Sequence, residues 1–190
     1  MAAAKKVFET TPFATSRIAD ICAAAGVASG TFYTYFDSKE EVFREVAAEA
    51  LAEMSEAPRR DPDNVEGDPI RDIEYASRQY FRACVRNAEI ARSIEQLALR
   101  DDEVAAVRRA TVITGVKRAA RWIEKLQERG VCDRAIDPWT TAMALHTMNV
   151  RIAYDHLLAR SEGADVDSLA RTVTHIWART VGLERVDPTN

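Results

Sequence analysis

The hydrophobic positions of this chain recur at helical intervals almost from end to end, and strand-like alternation is hard to find. Val7 and Phe8 form the apolar side of a short segment from Met1 to about Glu9, with Pro12 behind it. Ser16 opens a second segment as an N-cap; Ile18, Ile21 and Ala25 follow at helical spacing, and Gly26 stops it. A third, short helix is predicted from about Ala28 to Tyr35. Ser38-Lys39-Glu40-Glu41 then reads as a capping box that opens a longer helix through Val42, Val46 and Leu51, ending before Pro58. Residues 58–69 (PRRDPDNVEGDP) are polar and rich in proline, hence a connecting loop. Beyond it Ile70, Ile73, Tyr80, Phe81, Cys84 and Ala88 mark one apolar face. Ile113, Val116, Ala120, Ile123 and Leu126 mark another, in a helix that ends at Gly130. Asp137-Pro138 starts the next helix with a cap and an N1 proline, and Asp165 or Asp167 opens the last.

The two final helices carry more apolar surface than one core needs. From Pro138 to about Arg160, Met143, His146, Val150, Ala153 and Leu157 line one side, while Thr141, Leu145, Met148 and Ile152 line another. In the last helix Leu169, Val173, Ile176, Thr180 and Leu183 form a heptad-like seam, with Trp177 beside it. A helix apolar on two faces must be covered twice. One cover is the protein's own core. A second copy supplies the other, in a four-helix interface about a two-fold axis, with Leu145, Ile152, Leu169, Val173, Ile176, Trp177 and Thr180 as its contacts. Burial of both faces within a single bundle is the alternative.

Composition narrows the picture. The fold class is all-α, and a hydrophobic content of 47% supplies a real core. The net charge of -4 excludes a whole-chain basic footprint for nucleic acid, so any DNA site must be local. Cys22, Cys84 and Cys132 are scattered and lack a CxxC pair, which fits small core residues in a reducing compartment. No segment reaches the roughly 18 apolar residues of a membrane span, and no secretory signal opens the chain, so a cytoplasmic protein without a membrane partner is expected. GxSxG, Walker, HExxH and GxGxxG patterns are all missing, as is a convincing nucleophile–base pair, so no enzyme is expected. His146, His156 and His175 have no i,i+4 partner; neither a metal nor a cofactor is expected.

The segment from Ile18 to Glu40 carries the chemistry. Two short helices meet at Gly26, and Ile18, Ile21, Val27, Phe32 and Phe36 are expected to form the small core that fixes their angle. That construction is a helix-turn-helix, whose second helix enters the major groove of double-stranded DNA; an ordinary helical hairpin is the alternative. Ser29, Thr31, Tyr33, Thr34 and Tyr35 offer hydroxyls to phosphates or base edges, and Gly30 allows close backbone approach. Lys39 and Arg17 sit in the first turns of two helices, where ammonium or guanidinium and helix N-terminus together attract phosphate. Charge lends no support: Lys5, Lys6, Arg17, Lys39 and Arg44 face Glu9, Asp20, Asp37, Glu40, Glu41 and Glu45, a net of -1 over residues 1–47.

The run Ala25-Gly26-Val27-Ala28-Ser29-Gly30-Thr31-Phe32-Tyr33-Thr34-Tyr35-Phe36-Asp37-Ser38-Lys39-Glu40 resembles the signature of the TetR/AcrR family of regulators, densely and in order. Ile21-Cys22 falls where that family usually has isoleucine-alanine, and the strong similarity covers about residues 3–46. The resemblance implies a homodimer whose subunits each have a three-helix DNA-binding domain, here residues 1–46, and a larger helical effector-binding and dimerisation domain, residues 47–190. It implies Thr31, Tyr33, Thr34, Tyr35 and Lys39 as DNA contacts, Ser29 as the specificity position, and Phe32 and Phe36 as core. Two features depart from the family. Ala28 stands where serine is common, so one cap and phosphate bond is missing: either Ser29 substitutes for it or the helix starts slightly differently. The first helix is about two turns short of the family's usual length: either the given start is too late or residues have been lost, and in both cases a basic arm that often touches DNA goes with them.

By the same resemblance the larger domain holds a small-molecule effector within residues 70–160, and the protein is a repressor released from a palindromic operator. Tyr80, Phe81, Ile94, Leu97, Trp122, Trp139, Met143, His146, Asn149 and Tyr154 are the candidate lining residues. They suit a largely apolar ligand with one or two polar anchors, His146 and Asn149 foremost. Ordinary core packing is the alternative for each of them.

Overall fold

The computed structural model describes residues 1–56, 67–158 and 165–183. Among them every regular element is helical: α1 (Ala2–Thr10), α2 (Ile18–Ala25), α3 (Ser29–Phe32), α4 (Lys39–Glu56), α5 (Pro69–Arg86), α6 (Ala88–Leu97), α7 (Asp102–Glu128), α8 (Pro138–Ile152), a π-helical continuation (Ala153–Leu158), and α9 (Val166–Thr180). Most of the expected loop, residues 57–66, lies outside the described residues, as do 159–164, where α8 was expected to end. Asp68 and Pro69, the end of that expected loop, begin α5: the Asp68 carboxylate accepts from Ile70 N–H at 2.9 Å.

Aspartates open four helices by the same device. Asp101, Asp137 and Asp165 cap α7, α8 and α9, each taking a backbone N–H from two or three residues further on. Other boundaries differ from the sequence reading. Ser16 does not cap α2. It is buried and donates its hydroxyl to Phe13 O at 2.9 Å, while Asp20 accepts the Arg17 N–H at 3.0 Å. Ser38 accepts from Glu41 N–H as predicted, but the Glu41 carboxylate reaches Asp37 N–H rather than that of Ser38. The face running from Ile70 to Ala88 is broken at Asn87, whose side chain is folded back onto Ala83 O. The predicted third helix shrinks to one turn, and residues 33–36 continue as turns bonded to Thr31 and Phe32 carbonyls.

The core of the first four helices is aromatic. Phe8 meets Phe43 edge-on at 5.1 Å between centroids, and Phe13 lies 4.9 Å from Phe43, which is fully buried. Phe32 and Ile21 join them, and Phe36 packs against their edge. Val27, expected in this core, is 42% exposed, because the left-handed Gly26 turns the chain outward there.

Polar links tie these helices to the rest. Lys5 of α1 pairs with Glu49 and Glu53 of α4, and Glu53 accepts from Asn87 Nδ2 at 3.1 Å. Arg44 of α4 pairs with Asp101 at 3.0 Å and with Glu103. Such half-exposed pairs each contribute little to stability, but their bidentate and shared geometry fixes how α4 lies on α7. In the larger body α8 packs along α7 and α9 along α5, whereas α8 and α9 barely touch one another.

Candidate nucleic-acid interface and ligand cavity

At one end of the molecule the turn at Gly26 (φ 68°) aims α3 and the following turns into solvent. Arg17, Ser29, Gly30, Thr31, Tyr33, Thr34 and Tyr35 are all exposed there. Tyr33 and Tyr35 are 58% and 74% exposed, a costly way to display two aromatic rings unless something covers them. Phe32, between them, turns inward and is buried, with the Tyr33 ring edge-on against it. A Cβ at Gly30 would meet open space, so nothing on this chain stands between its backbone and an approaching partner.

Lys39 is placed differently from its neighbours. Its ammonium donates to Phe13 O at 2.7 Å and Ser16 O at 2.9 Å and sits 4.3 Å from the centre of the Phe13 ring. It therefore ties the start of α4 to the turn before α2, and two of its three donors are spent on that tie. The helix-turn-helix thus owes its angle to a cation–carbonyl clamp that the motif alone did not reveal.

A cavity of about 250 Å³ lies in the body between α4, α5, α6, α7, α8 and α9. Of the candidate lining residues Tyr80, Ile94, Trp122, His146, Asn149 and Tyr154 reach it. Phe81 does not: it is fully buried in the packed core beside Tyr80. Leu97 and Met143 pack against the core away from the cavity, and Trp139 is 42% exposed at the start of α8. The sequence reading missed Leu51, Met54 and Ser55 from α4, the Glu95–Arg108 ion pair, Gly115, and Arg118. Only the α7 group carries a trace in the sequence. Arg108, Thr111, Gly115, Arg118 and Trp122 recur at intervals of three and four, a face of mixed polarity that an apolar template passes over.

Several polar groups of the cavity pair within the protein. Asn149 Oδ1 accepts from Trp177 Nε1 at 3.3 Å. Arg108 holds Glu95 through two hydrogen bonds, and Arg118 donates to both the carbonyl and the hydroxyl of Ser55. The Cε1 side of the His146 ring abuts Gly115 of α7, where an added Cβ would come within 2.5 Å of it, so α7 and α8 approach closely because position 115 has no side chain. Burial, assisted by the Arg118 charge, holds the His146 pKa below its ordinary value. Burial also pushes the Tyr80 hydroxyl well up and the Cys84 thiol to about 12, so neither is a ready nucleophile.

The expected dimer seam splits into two sets. Leu145, Val173 and Trp177 are buried within this chain, a correction to the sequence reading: α8 packs along α7, α9 spends its inner face on α5, and Trp177 reaches the cavity. Ile152, Leu169 and Ile176 are half-buried at the rim, and Thr180 is exposed with its hydroxyl on Ile176 O. Among the described residues no helix is long and apolar enough to cross a membrane.

Comparisons with known proteins agree with this layout. Residues 1–46 match the model of bacterial regulatory proteins of the tetR family, and residues 73–182 match that of the C-terminal domain of the transcriptional regulator EthR. The HTH-type transcriptional regulator EthR of Mycolicibacterium smegmatis is 24% identical over 181 residues, spanning 95% of this chain and 83% of that protein. A crystal structure from Mesorhizobium loti, assigned to the TetR family, superposes with a TM-score of 0.79 at 16% identity, covering 94% and 93% of the two chains. SmeT, the repressor of the Stenotrophomonas maltophilia multidrug efflux pump SmeDEF, superposes with a TM-score of 0.72 at 17% identity, covering 94% of this chain and 86% of its own. The chain therefore belongs to the TetR family and is a transcriptional regulator of that type, with a C-terminal domain of the EthR kind.

Proposed function

We propose that this regulator is a cytoplasmic repressor that binds a palindromic operator as a homodimer and is released by a small, largely apolar effector held in the cavity. One observation carries the reading: α4 belongs to both sites. It starts at Lys39, clamped to the reading end, and its last turns contribute Leu51, Met54 and Ser55 to the cavity wall. A molecule that repacks that wall acts on the same rigid rod that carries the helix-turn-helix. Arg17, Ser29, Gly30, Thr31, Tyr33, Thr34 and Tyr35 are the proposed DNA-facing residues, with Lys39 holding their frame and offering its remaining donor. Residues 1–46 act as the reading domain and 47–190 as the effector and dimer domain, although α4 runs through that boundary unbroken.

Dimerisation in this reading uses what α8 and α9 leave uncovered, namely Met148, Ile152, Leu169, Ile176 and Thr180. It sets the two reading ends a fixed distance apart, and release follows when that distance no longer matches successive major grooves, about 34 Å. The experiment is selection of bound genomic fragments by the purified protein, followed by affinity at two salt concentrations. A single palindromic site beside a promoter, with a steep salt dependence, supports the reading; failure to enrich any sequence overturns it.

A further inference from the structure

The cavity and the reading helix share one polar contact. Ser55 lies in the last turn of α4, where backbone carbonyls have no partner within the helix and the helix dipole is negative. Arg118, four residues before Trp122 on the cavity face of α7, donates to Ser55 O at 2.8 Å and to Ser55 Oγ at 3.0 Å. Both residues line the cavity. Arg118 is thus a C-terminal cap for α4 supplied by a different helix, with its guanidinium within reach of whatever the cavity holds. At the other end of the same helix pair Arg44 is anchored to Asp101 and Glu103. So α4 is tied to α7 at Arg44 and at Ser55, and the Ser55 tie borders the cavity.

We propose that Arg118 recognises a carbonyl or carboxylate oxygen on the bound effector and, in doing so, gives up Ser55. This rests on the effector reading above and adds its chemistry: the effector is an apolar body with one hydrogen-bond-accepting oxygen. The exchange replaces one carbonyl acceptor by another, so it is nearly even in energy, and apolar burial against Ile73, Val112 and Trp122 drives it. The released end of α4 exposes its carbonyls to water and loses its Ser55 tie to α7, while the Arg44 tie at the other end remains. The charged groups facing this end of the cavity besides Arg118 are Asp72 and, farther along, the mutually paired Glu95 and Arg108, with His146 between. They leave the wall without a strong net charge, which suits a neutral ketone, ester or amide as well as an anion.

The test uses the whole protein and a matched pair of probes, 4-phenylbutan-2-one and butylbenzene, which share a skeleton and differ in the carbonyl. Affinities are read from the fluorescence of the cavity tryptophans, Trp122 and Trp177. The ratio of ketone to hydrocarbon affinity should fall about tenfold in Arg118→Met, the loss of a hydrogen bond to a charged group. Hydrogen exchange of wild-type amides 52–56 should speed up several-fold with the ketone and not with the hydrocarbon. That second comparison needs no variant and decides the matter if Arg118→Met does not fold. If both probes bind but the ratio survives in Arg118→Met, or the last turn of α4 responds to neither, the Arg118 assignment falls and the cavity reading stands. If neither probe binds the wild type, the apolar-cavity reading falls and takes this proposal with it.

Discussion

The reading end and the cavity body solve opposite problems with the same kind of helix. Between Arg17 and Lys39 the functional side chains come from one continuous stretch and are nearly all turned outward, because α3 is a single turn that cannot bury two faces. The cavity takes its walls from six helices, with residues from Leu51 to Trp177 meeting across some 126 positions of sequence. The first site is local geometry on display. The second is long-range packing with a gap left in it. Damage to the first should therefore cost recognition while sparing the fold, and damage to the second should cost the fold before it costs recognition.

The most severe way to break that contrast is at α9. Replacing Trp177 with glutamate puts an unpaired carboxylate where a 7%-exposed indole now packs and bonds Asn149. The expected loss is about 3–5 kcal/mol, read as a lower midpoint in urea unfolding. Its neighbour Ile176, half-buried at the rim, should behave in the opposite way: Ile176→Glu is expected to yield a folded monomer by sedimentation, with its helical content intact. If both variants unfold alike, the division between inner and outer faces of α9 is wrong.

These two adjacent residues also show what the sequence made legible. The motif from Ala25 to Glu40 and the caps at Asp137 and Asp165 could be read directly, because capping and turn chemistry act within four residues. The all-helical class followed from periodicity alone. Periodicity does not say which neighbour covers a face, so Val173 and Trp177 read as a seam although α5 had already claimed them. It also says nothing of polar pairs across helices. Arg118 with Ser55, Lys39 with Phe13 O, and His146 against Gly115 each join residues more than twenty positions apart. Phe81 and Tyr80 are adjacent, yet one faces packed core and the other the cavity, a distinction set by a helix rotation of about 100° per residue.

A smaller effect separates two residues of the reading end itself. Lys39→Met removes the donor from two carbonyls and from the Phe13 ring, leaving those carbonyls unpaired near the core. It should destabilise the protein by about 1–3 kcal/mol and weaken operator binding as a consequence. Tyr33→Ala, at an exposed position, should leave the melting temperature within about a degree or two and reduce operator affinity roughly tenfold. Equal losses of stability in both would mean that Tyr33, too, belongs to the frame. Equal losses of affinity without any loss of stability would make Lys39 a direct phosphate contact.

The mildest test is pH. His146 is held below its ordinary pKa of 6.5 by burial and then by the charge of Arg118, so the folded protein keeps it neutral where the unfolded chain protonates it. For a base whose pKa is depressed on folding, the contribution to stability is fully present above pH 6.5. It is lost as pH falls from 6.5 toward the lower folded-state value, because the unfolded state then binds the extra proton. Urea midpoints measured from pH 7.5 down to 5 should therefore decline in the wild type and decline less steeply in His146→Gln. An unchanged slope would mean that the imidazole stays as well hydrated in the fold as out of it, and would detach it from the close contact with Gly115. A slope that is also reduced, though less, in Arg118→Met with His146 intact would tie the histidine to the same guanidinium that caps α4, joining the imidazole of the cavity to the helix that carries the reading end.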